Sequence, residues 1–171
     1  MTNLVHKKHI FLIGLPYSGK SLVGRLLADA IGLNHYDSDL WMERFIDQSA
    51  AQFLQQNGEK SFRMVERFVL MDLLCKPPSV VSVGGGLACF FDHIHLMNQH
   101  LTVYLKVEPA IIHDRFLKNP HSRPLFRIFS RSDFEQLLAK RDSIYSRSHI
   151  VILAERRPEI IVQEVLDAIK Q

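Results

Sequence analysis

Gly14-Leu15-Pro16-Tyr17-Ser18-Gly19-Lys20-Ser21 has the form G-x-x-x-x-G-K-[ST] and follows the apolar run His9-Ile10-Phe11-Leu12-Ile13. A strand running into a phosphate-binding loop is the reading. The glycines let backbone N–H groups turn inward around phosphate oxygens, Lys20 reaches the β- and γ-phosphates, and the Ser21 hydroxyl is suited to ligate Mg²⁺. Leu22-Val23-Gly24-Arg25-Leu26-Leu27-Ala28 then has helical spacing, so the phosphates also meet a helix N-terminus. Gly14 through Leu22 are therefore the candidate nucleotide-binding residues. An ordinary Gly-rich turn would satisfy the eight-residue pattern but has no need of the strand and helix around it.

Outward from the loop, short apolar runs alternate with helical stretches, the pattern of a parallel α/β sheet. Strands are expected at 10–13, 34–37, 79–83, 101–107 and 149–153. The clearest helices are expected at 20–31, stopped by Gly32, at 59–74, stopped before Pro77-Pro78, at 132–145, and at 158–170 with Pro158 in the first turn. The 171 residues, 47% hydrophobic and 23% charged, suit one domain spanning 1–171 with a full core. Positions 119–131 contain Pro120 and Pro124 without a period and read as a mobile lid. The net charge of +3 is spread along the chain, which suits an anionic small molecule and argues against nucleic acid. The N-terminus resembles neither a signal nor a transit peptide, so a cytoplasmic protein with no membrane partner is expected. Cys75 and Cys89 form no C-x-x-C and read as small hydrophobes.

A phosphate loop works with a carboxylate that holds the metal ion or its water shell. The most apolar strand ends in Gly84-Gly85-Gly86, so the acid must come from elsewhere. Asp37-Ser38-Asp39 after the short second strand is the best source, with Glu108 and Glu155 as alternatives; Ser38 or Asp39 could instead cap the helix starting near Leu40. Three glycines in a row suggest close approach of backbone to a ligand, or else a loose turn. Arg63 and Arg141 offer rigid forks for a carboxylate, although Arg63 could simply pair with Glu66 and Arg141 could lie on a solvated helix face. Arg123, Arg127 and Arg131 stand in or beside the expected lid, over phosphates or merely in water. The nine histidines form no ligand set, since His93 and His95 diverge on a helix.

Taken together, Gly14 to Ser21, Asp37-Ser38-Asp39, Phe62-Arg63-x-x-Glu66, Gly84-Gly85-Gly86, Arg123-Pro124-Leu125 and Lys140-Arg141-x-x-x-Tyr145 resemble the shikimate kinases in order and spacing, over nearly the whole chain. The resemblance implies a nucleoside-monophosphate-kinase-like three-layer fold with a five-stranded parallel sheet in the order 2-3-1-4-5. It implies transfer of the ATP γ-phosphoryl group to the 3-hydroxyl of shikimate, on the route to chorismate and the aromatic amino acids, by a monomer that needs Mg²⁺. Lys20 would stabilise the transferring phosphoryl, Ser21 would ligate the metal, and Asp37 would hold it through water. Asp39 would bind the shikimate hydroxyls and accept the proton. Arg63 and Arg141 would grip the carboxylate, with Glu66 orienting Arg63, with Gly85 and Gly86 against the ring and hydroxyls, and with Gly84 also among the substrate-binding residues. Arg123 would be the lid arginine. Adenine contacts would lie near Arg115 and at Arg156 or Arg157, with Arg157 carried as a nucleotide-binding residue. Tyr17 and Leu22 depart from the small residue and the Thr usual in the loop, and Leu54 from an aromatic in the acceptor pocket.

Two rivals remain at this stage. A gluconate kinase would also take a hydroxylated carboxylate, but Gly84 to Gly86 and Arg141 speak against it. A nucleotide-binding regulatory module would have no need of the acidic pair or a lid arginine.

Overall fold

Ile10–Ile13 forms the central strand, β1, of a parallel sheet, and all four of its residues are buried. A strand covered on both faces needs an unbroken apolar run, which Ile10-Phe11-Leu12-Ile13 supplies. The computed structural model describes residues 7–118 and 131–170. The chain continues through α1 (Lys20–Ile31), β2 (Asn34–Asp37), α2 (Ser38–Ile46), α3 (Ala50–Leu74) and β3 (Ser79–Ser82). A 3-10 turn (Leu87–Cys89), α4 (His93–Met97), β4 (Leu101–Lys106), α5 (Pro109–Lys118), α6 (Arg131–Tyr145), β5 (Ile150–Leu153) and α7 (Pro158–Lys170) complete it. The strand order is β2-β3-β1-β4-β5 with every pairing parallel, as the resemblance implied. Helices flank the sheet: α1 packs against α7 and β3, α2 against α3, and both α3 and α6 meet the 3-10 turn. Phe11, Leu12, Leu27, Leu73 and Leu105 are sealed in the core, each side chain contributing about 1.5–3 kcal/mol by burial.

The five expected strands and four helices lie where the sequence places them, within a residue or two, with one larger difference. The helix expected from Glu59 begins at Ala50, because Ser49 and Gln52 form a capping box. Gly58 interrupts it at φ 74°, ψ 170°, a conformation that glycine alone adopts readily. Residues 50–57 and 59–74 are thus two helical segments joined at a glycine. Cys75, read as a small hydrophobe, is exposed just after α3, and Cys89 is half-buried. Arg123 and Arg127, expected in a lid, lie outside the described residues, whereas Arg131 opens α6.

Candidate active site

The loop between β1 and α1 lies beyond the carboxyl end of the central strand, where open α/β sheets bind ligands. Gly14 has φ 151° and Gly19 φ 90°, and a Cβ on Gly14 would stand 2.7 Å from Leu105 O. The chain can pass β4 there only as glycine. Lys20 is buried, its Nζ donating to Leu15 O (2.7 Å) and Gly14 O (3.0 Å). Its ammonium therefore already spans the mouth of the loop. Tyr17, at φ 64°, docks on α5: Arg115 Nη1 donates to its carbonyl (2.8 Å) and its ring meets Phe116 edge-on at 6.1 Å. That contact accommodates a large residue where a small one is usual.

Asp37 serves three neighbours at once. Its Oδ2 accepts from the Ser21 hydroxyl (2.5 Å), while Oδ1 accepts from the N–H groups of Asp39 (3.0 Å) and Leu40 (3.4 Å). The helix cap is therefore Asp37 itself and neither Ser38 nor Asp39, because α2 starts at Ser38, two residues earlier than the sequence suggested. Capping and the approach to Ser21 coexist on one carboxylate. Ser38 instead accepts from Gly84 N–H (2.8 Å), tying the start of α2 to the glycine run. Glu155 accepts from the Glu108 N–H (3.0 Å), so these two alternative acids tie the ends of β4 and β5 together.

Each glycine of the run faces a different part of the site. A Cβ on Gly84 would overlap Asp39 Oδ1, one on Gly85 would stand 2.7 Å from the Pro16 ring, and one on Gly86 would stand 3.1 Å from Arg63 Nη1 and 3.5 Å from Arg141 Nη2. The acid, the loop and both arginines thus converge on three consecutive residues. Close approach is the reason for the glycines, and what approaches includes the site's own side chains. Arg63 is held by Glu66 (Nη1 to Oε2, 2.7 Å) and lies 3.7 Å over the Phe90 ring. Glu66 is itself buried, and that burial holds its carboxyl above the usual range against the pull of Arg63. The sequence alternatives for Arg63 and Arg141 therefore resolve differently: the Glu66 pair exists and sits inside the site, while Arg141 points at Gly86.

Residues 16–170 match the family model described as shikimate kinase. The chain belongs to the shikimate kinase family. The shikimate kinase of Phocaeicola vulgatus is 34% identical over 170 residues, covering 95% of this chain and 96% of that relative. A solved shikimate kinase from Acinetobacter baumannii, in complex with shikimate, superposes with TM-score 0.89 at 27% identity over 98% of this chain and 95% of that one. A gluconokinase from Sinorhizobium meliloti 1021 reaches TM-score 0.65 at 16% identity over 96% of this chain and 93% of its own, which is likeness of fold alone.

Within this shikimate kinase scaffold, several residues to which the sequence reading gave no role join the site. Tyr145, buried beside Tyr104, donates a short hydrogen bond to Gly85 O, and burial pushes its phenol well above the ordinary value. It lies one helical turn beyond Arg141, so one face of α6 supplies both an arginine and a tether for the glycine run. Cys89 sits beside this tether, its thiol also pushed up by burial. Phe90 is the platform for Arg63. The i,i+4 spacing of Arg141 and Tyr145 is a sequence signal for the tether; Phe90 has none. Arg156 pairs with Glu164 (2.6 Å) and Arg157 lies 3.7 Å from Glu159, both near the first turn of α7. His93 is buried and His95 exposed on α4, so their side chains diverge.

Proposed function

We propose that the chain transfers the ATP γ-phosphoryl group to the 3-hydroxyl of shikimate, in the cytoplasm and as a monomer, with Mg²⁺ as the metal. The convergence of Arg63 Nη1 and Arg141 Nη2 about Gly86, next to Asp39 and the phosphate loop, carries this reading. Ser21 and Asp37 offer hard oxygen donors side by side, a set that suits Mg²⁺. Ser21 and Asp37 would hold the ion beside bound ATP, where it would supply positive charge to the phosphates. Lys20 exchanges its loop carbonyls for phosphate oxygens and stabilises the charge that develops during transfer. Asp39, under Gly84, orients the acceptor hydroxyl and takes its proton.

The two guanidinium groups hold the acceptor carboxylate and thereby fix the distance between its hydroxyl and the γ-phosphate. Gly84 to Gly86 line the ring, and Tyr145 keeps them in place. All these residues come from one chain, so a monomer suffices, and 1–171 acts as one domain. Among the described residues no helix is long and apolar enough to cross a membrane. Arg123, in the segment 119–130 outside the described residues, is the proposed lid arginine on its sequence motif, and Arg157 the proposed adenine contact.

The test is titration of shikimate, and of its neutral carboxamide analogue, into wild type, Arg63→Ala and Arg141→Ala. A charge-assisted contact contributes about 1.5–3 kcal/mol, so Arg141→Ala raises the KM for shikimate by about one to two orders of magnitude. Binding of ATP alone barely changes. Wild type binding amide as well as acid, or arginine variants losing ATP rather than shikimate, would overturn the clamp.

A further inference from the structure

Arg63 meets a second carboxylate besides Glu66. Glu59 Oε1 accepts from Arg63 Nη2 (3.0 Å) and Nε (3.3 Å), so one whole edge of the guanidinium fork faces it. The two acids differ in kind. Glu66 is buried, its side chain 7% exposed, whereas the Glu59 side chain is 66% exposed and directly follows Gly58, the non-helical break in α3. Arg63 stays fixed on Phe90, while Glu59 stands at the water side, beside a glycine joint.

We propose that Glu59 is a stand-in carboxylate: it competes with the acceptor's carboxylate for Arg63 and so sets the affinity for acceptor. This rests on Arg63 and Arg141 holding that carboxylate as proposed above. Arg63 and Arg141 bring two positive charges to the site, and Glu59, Glu66 and Asp39 three carboxyl groups, so the acids already present match or outnumber the guanidinium charges. An arriving carboxylate therefore meets like charge unless a resident acid withdraws. Glu59 is the one placed to do so, since an exposed i,i+4 pair is weak and its carboxylate is readily rehydrated. A residue whose work is to orient Arg63 would have the opposite effect on removal, weakening acceptor binding as loss of Glu66 would.

The experiment compares full-length wild type with Glu59→Gln and Glu59→Ala by calorimetric titration of shikimate and of the carboxamide, with KM and kcat from ADP release. The Kd and KM for shikimate fall about two- to fivefold in both variants, the span expected for losing an exposed competing ion pair. The gain lies in KM and kcat/KM rather than kcat, and the carboxamide, which brings no charge, shows no matching gain. Weaker shikimate binding, no change in either variant, or an equal gain for acid and amide would overturn the proposal. Wild type that binds acid and amide equally would instead strike at the clamp itself, a result readable before any Glu59 variant is made.

Discussion

Gly84 carries a large chemical consequence for so small a residue, because the Asp39 carboxylate fills the space where its side chain would be. Gly84→Ala is therefore expected to displace Asp39 from the acceptor hydroxyl we propose for it, and a displacement of that order costs about ten- to a hundredfold in kcat. Steady-state kinetics check this: kcat falls while ATP binding without acceptor is retained, and a variant with wild-type kcat would remove Asp39 from the chemistry. At this scale the sequence was legible for residue types and blind to their partners. Lys20, Asp37, Asp39, Arg63 and Arg141 stand in recognisable spacings. Ser38 meets Gly84, and Tyr145 meets Gly85, across 46 and 60 residues of chain, and no local pattern announces such pairings. The capping role of Asp37 was missed for a subtler reason: any of three polar residues in a row can accept from the same N–H groups.

Among the elements, α3 carries the most information about the acceptor side, since it holds Glu59, Arg63 and Glu66 on segments joined at Gly58. The first segment was hidden in the sequence because Gly58 reads as a helix boundary, although Ser49-Ala50-Ala51-Gln52 has capping-box spacing. Strands and helices such as β1 and α1 were legible because burial and periodicity are local properties of 4 and 12 residues. A Cβ on Gly58 would meet nothing within 4 Å, so Gly58→Ala introduces backbone strain without a clash. The expected loss is about 1–3 kcal/mol, read as a lower urea midpoint at an unchanged m-value. An unchanged midpoint would mean that α3 runs straight through Gly58 in solution.

For the molecule as a whole, four buried or half-buried imidazoles set the acid limit. Burial lowers His9, His35, His93 and His100 below the ordinary value of 6.5. Below that pH each holds fewer protons in the fold than in the unfolded chain, so stability is full above 6.5 and falls with pH through the window beneath it. Glu66 works the other way, its raised carboxyl favouring the fold at low pH and giving that up as pH rises past 4.5, one group against four. Denaturation at pH 7.5 and 5.5 is expected to show lower stability at 5.5, with a smaller difference in His93→Asn; equal stabilities would contradict the buried neutral imidazoles. The central claim is tested most directly by product analysis: ATP and Mg²⁺ are incubated with shikimate, with gluconate, and with no acceptor, and phosphorus NMR follows the transferred group. The account predicts one new phosphate monoester on the 3-hydroxyl of shikimate, absent in Lys20→Ala; preference for gluconate, or ADP release at equal rate without acceptor, would contradict it.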